Sequence, residues 1–376
     1  MERFTRTSDA VYEASTSARV GMRVPARVVA DDVLFPAAQA TDVAPLVPRA
    51  NLEALRDAGL HGLQGPADVP GGLGADHVAA RPILEAITGG CGATAFVYAQ
   101  HHGAVRRVAL GDGPARTIWL PRLCDGSTLA GIGFAYLRRP GPPAITATSD
   151  GDGWRLDGEA PWITGWGLAE VFVLMARADD DRVVTVAVDH PYERDDLSPG
   201  PPQRLAAMGA TGTVALTLRG LHATREDLVG VQSDDGWRRR DLAGSAMPSA
   251  APLGIADRAI RLLADREPEV AAALGARLED RRHAADERSV EIATSLAAAD
   301  GEPRRFARAI AAGSAERDRG LDLARRATDG LVSASGGGAM SLDHPAQRLS
   351  REATFYLIQA QTGDLRAATL ARAIRP

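Results

Sequence analysis

Hydrophobic positions divide the chain into three zones. Over residues 44–123 the apolar residues recur at the spacing of one helix face. Over 129–231 they form short alternating runs, which is typical of strands. Over 238–374 the helical spacing returns. Helices, then strands, then helices predict an α+β fold with segregated elements.

Glycines divide the first zone into separate helices. Gly59 predicts a helix end, and Leu60 supplies the apolar contact that often follows a C-terminal glycine. A longer apolar helix is predicted over residues 83–110, with an interruption at Gly89–Gly92.

The middle zone predicts a small antiparallel barrel or sandwich. Asp150-Gly-Asp-Gly153 lies between two alternating runs and favours a β-hairpin. Pro140-Gly-Pro-Pro143 indicates a rigid turn before the first of them. The predicted strand cores are residues 145–148, 154–156, 171–176, 183–188 and 213–218.

The same pattern gives domain boundaries. We expect an N-terminal helical domain over residues 1–128, a β domain over 129–235 and a C-terminal helical domain over 236–376. The glycines Gly336–Gly338 predict a break within the last domain.

Composition narrows the classes of function. The chain has 376 residues, is 45% hydrophobic and carries a net charge of −5, which argues for a globular protein and against nucleic-acid binding by bulk charge. All 43 basic residues are arginine, so chemistry that needs a lysine is excluded.

Cysteine spacing and the N-terminal sequence exclude further classes. Cys91 and Cys124 form no CxxC pair, and the histidines lack ligand spacing, so no metal site is predicted. The N-terminus has no apolar stretch of signal-peptide length, and no window is long enough to span a membrane. We therefore expect a cytoplasmic enzyme with no membrane partner.

Several segments, in order, resemble the acyl-CoA dehydrogenase superfamily over residues 45–374. The most specific is the hairpin Gly151-Asp-Gly-Trp-Arg-Leu-Asp-Gly158 followed by Trp162-Ile-Thr164. The others are Leu55–Leu60 with Gly71–Gly74, Trp119–Gly126, Met208–Gly209, Asp227–Gly230, and Gly336–Gly337 followed by Pro345, Arg348 and Arg351–Ala353.

The resemblance implies a helical N-terminal domain, a β domain and a C-terminal four-helix bundle. FAD would lie between the β domain and the bundle, and the protein would be a dimer or tetramer. The implied reaction oxidises an acyl thioester, carried by CoA or a carrier protein, and passes electrons to a partner protein. The flavin performs the redox step and the protein positions the groups.

The hairpin end holds three predicted flavin-binding residues. Trp162 offers a flat apolar face for the flavin ring, Ile163 follows it, and Thr164 offers a hydroxyl for a hydrogen bond. Trp162 taken alone would better suit the core of the β domain. The surrounding hairpin favours the flavin role.

The resemblance places Phe134, Tyr136 and Leu137 on the strand that contacts the flavin and the substrate. The following segment, Arg138–Pro143, is shorter than its family counterpart and lacks the usual Gly-Ser-Asp turn, which predicts altered CoA binding. Its arginines suit a phosphate or a solvated turn equally.

Three further residues are cofactor-binding candidates. Gly336 and Gly337 resemble the loop that approaches the adenosine-diphosphate part of FAD from a neighbouring subunit. Thr362, also in the C-terminal helical zone, is the third candidate. The family's arginine-containing phosphate clamp falls near Asp265–Glu269, where its Phe-Gly pair is missing.

The catalytic base is missing from its usual places. The family's glutamate aligns with Ala360, and the alternative position on an earlier helix falls near Gly244–Ser245. Removal of an α-proton needs a positioned base, which alanine cannot supply. A displaced carboxylate, Glu352 or Asp364, is one way to replace it.

The missing base can also be explained by a different reaction, because the resemblance extends to oxygen-using relatives that do not need that base. His102, beside His101, is predicted to border the flavin cleft and to move a proton, although a surface or capping pair of histidines is the more ordinary interpretation. Gln361 and Gln359 are amide donors near the missing base. Arg238–Arg240 is interpreted as a solvated helix start.

Three hypotheses follow. The favoured one is an FAD-dependent oxidoreductase of an acyl thioester or a related small molecule. The second is a flavin-dependent monooxygenase that takes reduced flavin from a reductase and uses O2. The third is a non-catalytic subunit of a larger dehydrogenase.

Overall fold

A computed structural model describes residues 24–298 and 303–374 of the chain. Its first helices carry the predicted stop at Gly59, where φ is +70°. The amide of Leu60 donates to the carbonyl of Leu55 over 3.0 Å, and that of Gly59 donates to Arg56 over 2.7 Å. This is the Schellman arrangement expected of a C-terminal glycine. The N-terminal helices are α1 (Phe35–Val43), after a π-helical segment Val29–Leu34, α2 (Arg49–Asp57), α3 (His77–Gly90), α4 (Gly92–Leu110) and α5 (Ala115–Cys124).

The predicted long helix is broken where its glycines indicated. Helix α3 ends at Gly90, and α4 begins at Gly92 after an extended Cys91. Gly89 also permits close packing, because a methyl group there would lie 2.8 Å from the carbonyl oxygen of Gly254.

Eight strands form one sheet in the middle of the chain. The predicted hairpin is confirmed, with Asp150 paired to Gly153 across the turn. The strands are β1 (Ala130–Gly133), β2 (Ile145–Asp150), β3 (Gly153–Ile163), β4 (Val171–Ala178), β5 (Val183–Asp189), β6 (Leu197–Pro199), β7 (Val214–Ala223) and β8 (Leu228–Gln232). Their order is β6-β7-β3-β2-β4-β5-β8, and β1 pairs with β4.

The antiparallel prediction holds for five strand pairs and fails at β4. Strand β4 pairs in parallel with β1 along Val171–Leu174 and with β2 at Arg177–Ala178. Strands β1 and β2 therefore run in the same direction, and the segment between them shifts the chain sideways without reversing it. Alternation of apolar residues carries no information about that direction.

Helices resume after β8, so the predicted α+β fold is confirmed. The longest, α9, packs against α7, α8 and α10, the expected helical bundle. None of the described helices is both long and apolar enough to cross a lipid bilayer. These helices are α6 (Asp234–Ala246), α7 (Ala250–Leu263), α8 (Pro268–Ala297), α9 (Pro303–Ser335), α10 (Pro345–Phe355) and α11 (Gly363–Ala373).

Candidate functional site

A cleft of about 400 Å³ lies where the three groups of elements meet. Helices α3 and α4 form one wall, the start of the β region forms another, and helices α6 to α9 with the segment after α10 close it. Residues that line the cleft include Arg81, Gly103, Arg106, Arg107, Ile132, Phe134, Arg138, Arg240, Asp241, Gly244, Ser245, Arg317, Gln359 and Ala360.

Both places where the family base is expected lie in this cleft. Ala360 follows α10 with a left-handed backbone, φ +49°, and Ser245 lies near the end of α6. A buried arginine of α9, Arg317, joins them: its Nη1 donates to the carbonyl of Ser245 over 2.8 Å, and its Nη2 to the carbonyl of Gln359 over 2.6 Å. The guanidinium group of Arg317 therefore lies beside both positions where the resemblance places the family's carboxylate.

Arg317 has no carboxylate partner among the described residues, although only 5% of it is exposed. Burial, followed by the charge of the neighbouring Arg138, lowers its pKa to about 10. Asp241, the carboxylate that lines this cleft, is held by Arg138 through two hydrogen bonds of 2.7 and 2.8 Å. The charge of Arg317 thus faces the cleft uncompensated.

Three more arginines line the opposite end. Arg106 donates to Gln64 over 2.8 Å, and Arg240 donates to Gln232. Burial lowers the pKa of Arg107 to about 10, helped by Arg240. The interpretation of residues 238–240 as a solvated charge run fits Arg238, which pairs with Asp234, but misses that Arg240 lines the cleft.

The three hairpin candidates differ in what they expose. Trp162 is 51% exposed, whereas Ile163 is fully buried in the core of the β region. The Thr164 hydroxyl belongs to a row of three, with Thr213 2.9 Å away and Thr211 a further 2.9 Å, and Thr211 donates to the carbonyl of Met208. Three bonds use three protons, so Thr164 donates to Thr213 and offers only its lone pairs to a ligand.

Phe134, Tyr136 and Leu137 were predicted on a strand, but all three follow the end of β1 at Gly133, and Tyr136 and Leu137 lie in a 3-10 turn. Phe134 lines the cleft, and Arg138 lies over its ring. The hydroxyl of Tyr136 lies 2.6 Å from the carbonyl oxygen of Met175, and Leu137 is 5% exposed. The side chains of Tyr136 and Leu137 are therefore engaged within the protein, and only their backbone atoms remain for the predicted flavin contacts.

His101 and His102 are both buried, so the capping or surface interpretation is wrong. The ring of His101 bridges the carbonyl of Leu123 and the amide of Ala130, which fixes one neutral tautomer. Both ring nitrogens of His102 lack a hydrogen-bond partner among the described residues, and burial followed by His101 lowers its pKa well below the usual value. His102 lies behind the cleft wall, next to Gly103, and its catalytic role stays a prediction.

The remaining candidates lie in the segments that follow α9 and α10. Gln361 donates to the carbonyl of Leu357 over 3.0 Å, and Thr362 caps α11 by accepting from Leu365. Gly336 has φ +60°, and a methyl group on Gly336 or Gly337 would meet nothing within 4 Å in this chain.

Of the two displaced carboxylates predicted, Glu352 does not fill the gap. Glu352 is 3% exposed, is bonded to Arg348 over 2.7 Å and packs against Gly92, outside the residues that line the cleft. The side chain of Asp364 lies outside the part of the chain that the structure describes.

Comparison with known proteins finds acyl-CoA dehydrogenases among the relatives. The family model of the acyl-CoA dehydrogenase N-terminal domain matches residues 18–127. A probable acyl-CoA dehydrogenase of Mycobacterium tuberculosis is 24% identical over 379 residues, which covers 94% of this chain and 94% of that protein.

Solved structures share the fold over nearly the whole chain. Butyryl-CoA dehydrogenase from Megasphaera elsdenii is 17% identical with a TM-score of 0.76, covering 95% of this chain and 98% of that one. TdsC from a Paenibacillus species, a dibenzothiophene monooxygenase, in complex with FMN and indole, is 16% identical with a TM-score of 0.79, covering 94% and 96%. Residues 18–127 belong to the acyl-CoA dehydrogenase N-terminal domain family, and the fold of the described residues is that of acyl-CoA dehydrogenases.

Proposed function

We propose that the protein is a flavin-dependent oxidoreductase that acts on an acyl thioester or a related small molecule. The observation that carries this proposal is the cleft at the meeting point of the helices and the sheet, which brings Phe134, Ser245 and Ala360 together. These residues come from three distant parts of the chain, and the family resemblance placed each of them at the flavin or the substrate.

The described residues fit a flavin. The half-exposed indole of Trp162 offers an apolar face, Phe134 lines the cleft, and the lone pairs of Thr164 accept a hydrogen bond. When bound, the flavin supplies hydride transfer. The protein's own groups bind and orient the substrate.

A second contact suits FAD and a homo-oligomer. Arg266, in the segment of the family's phosphate clamp, donates to the carbonyl of Ala334 over 3.3 Å and so lies next to the open turn at Gly336. An arginine beside exposed backbone is a good partner for a diphosphate. The absence of neighbours around Gly336 and Gly337 in this chain supports a contact with the cofactor of another subunit.

A flavin-dependent monooxygenase is the second candidate. The observation that favours it is the lack of a carboxylate at Ala360 and Ser245, since desaturation of an acyl thioester requires a base at the α-carbon. Oxygen reactivity separates the two candidates. If reduced, flavin-loaded protein reacts with O2 faster than free reduced flavin, the second is supported; slower reaction supports the first.

Flavin binding tests the shared part of both. We expect Trp162→Ala to weaken FAD binding by about tenfold or more, because it removes a stacking face. Trp154→Ala changes a tryptophan on the same strand that lies next to the Asp150–Gly153 turn, and it should leave FAD binding unchanged. The measurement is an absorbance titration of flavin-free protein with FAD. Equal affinity of wild type and Trp162→Ala would contradict this placement, and absence of FAD binding by wild type would support a non-catalytic subunit.

A further inference from the structure

The end of the cleft next to Ala360 is built from donors. A guanidinium has five N–H groups. Arg317 uses one on the carbonyl of Ser245 and two on the carbonyl and side-chain oxygens of Gln359. Two N–H groups have no acceptor among the described residues.

The hydroxyl of Ser245 is the second unsatisfied group at this place. Ser245 is 3% exposed, and its Oγ has no hydrogen-bond partner in the described part of the chain. A buried hydroxyl without a partner costs free energy unless something else bonds to it. Ser245 and Arg317 both line the cleft, and neither the hydroxyl nor the two free N–H groups have an acceptor among the described residues.

Buried arginines elsewhere in the protein have carboxylates. Arg348 is bonded to Glu352 over 2.7 Å, and Arg258 is bonded to Asp31. Arg317 is as buried as Arg258, yet it faces a cleft instead of a carboxylate. An unpaired buried charge is unfavourable, so a ligand that neutralises it gains affinity.

Besides its arginines, the cleft is lined by apolar side chains. Those that can contact a hydrocarbon chain are Leu84, Leu110, Ile132, Phe134 and Met247. This arrangement suits a molecule with an apolar body and a charged end.

We propose that Arg317 and the hydroxyl of Ser245 bind a carboxylate, or a comparable oxyanion, of the substrate. The negative charge that relatives carry on the protein at this position would come here from the ligand. The inference deepens the proposed function by naming the substrate as an organic anion. Its test measures binding without turnover, so the flavin proposal and this one fail separately.

The test compares hexanoate with hexanamide, which match in size and differ in charge. Isothermal titration calorimetry on the full chain as purified gives both affinities. We expect hexanoate to bind about 10- to 100-fold more tightly, the range for a hydrogen bond to a charged group. Arg317→Gln should abolish this preference, and Arg308→Gln, an exposed arginine on the same helix, should retain it.

Three results would overturn the proposal: no binding of hexanoate by wild type, equal affinity for the two ligands, or a preference that survives Arg317→Gln. If Arg317→Gln does not fold, Ser245→Ala decides. We expect it to weaken hexanoate binding about three- to tenfold through the loss of one hydrogen bond. Unchanged affinity would contradict a role for this hydroxyl.

Discussion

Two groups of arginines in this protein have different roles. At the junction of α3, α7 and α8, every arginine is matched. Arg81 bonds to Asp286 and Glu85 over 2.6 Å, and Arg282 bonds to Glu85 over 2.8 Å and to Asp257 over 3.0 Å. Carboxylates raise the pKa of Arg282 against the effect of burial. This group ties three helices together.

Among the arginines that line the cleft, Arg81 and Arg138 have carboxylate partners, whereas Arg107, Arg240 and Arg317 have none among the described residues. Arg107 and Arg317 have lowered pKa values, and no carboxylate of the described residues lies within 4 Å of Arg107, Arg240 or Arg317. The comparison teaches that the pairing of an arginine, and not its presence, distinguishes a structural role from a binding role. Removing a carboxylate from the junction and removing a charge from the cleft should therefore have opposite effects on stability.

The largest effect is expected at the junction. Glu85 is 4% exposed and neutralises two arginines, so Glu85→Gln should lower the free energy of unfolding by about 3–5 kcal/mol, the range for a broken buried ion pair. Chemical denaturation measures it. Glu287→Gln, in an exposed pair on α8, should have little effect. Equal effects of both substitutions would remove the distinction between the junction and a solvated pair.

As the pH falls, the burial of His61 should lower the free energy of unfolding at a higher pH than the ion pairs of the junction do. Burial, followed by Arg56, lowers the pKa of His61 to about 4 from 6.5. The unfolded chain then binds a proton that the folded chain rejects. The free energy of unfolding is highest above pH 6.5 and falls as the pH drops toward 4, by about 3 kcal/mol for this residue.

The junction carboxylate Asp257 has a lowered pKa despite burial, because Arg27 and Arg282 face it, so its contribution is lost only below the usual 3.8. Denaturation curves at pH 7, 6, 5 and 4.5 should show a smaller loss for His61→Leu than for wild type. The exposed His222→Leu should follow wild type. If His61→Leu loses as much stability as wild type over this range, the burial of a neutral ring at this position is wrong.

The smallest effect is expected at Arg107. Its charge is opposed by burial and by Arg240 and is partly screened by solvent, so Arg107→Gln should raise the free energy of unfolding by less than about 1 kcal/mol. The gain should shrink with added salt. Denaturation at low and high ionic strength measures it. A clear loss of stability would mean that Arg107 has a structural partner after all.

Local signals in the sequence predicted much of the fold. Gly59, the Asp150–Gly153 turn and the glycine break near Gly90 each depend on neighbouring residues, and all three were confirmed. The parallel pairs of β4 were missed, because strand direction depends on where a distant strand lies.

The site shows the same limit. Ala360 could be identified from its aligned segment, but Arg317 could not. It lies between Glu316 and Asp318, which indicates an ordinary charged helix; these carboxylates pair with Arg281 and Arg372. Only the folded chain shows that Arg317 alone of the three reaches Ser245, 72 positions away.

The central claim is that Ala360 and Ser245, the positions where the resemblance places the base, carry no carboxylate, and that Arg317 bonds to the backbone beside both of them. Anaerobic mixing of flavin-loaded protein with butyryl-CoA, followed by flavin absorbance, tests it most directly. The account predicts that Ala360→Glu loses absorbance at least about 100-fold faster than wild type, while Thr354→Glu, an exposed position on α10, does not. Rapid loss in wild type, or no gain in Ala360→Glu, would contradict it.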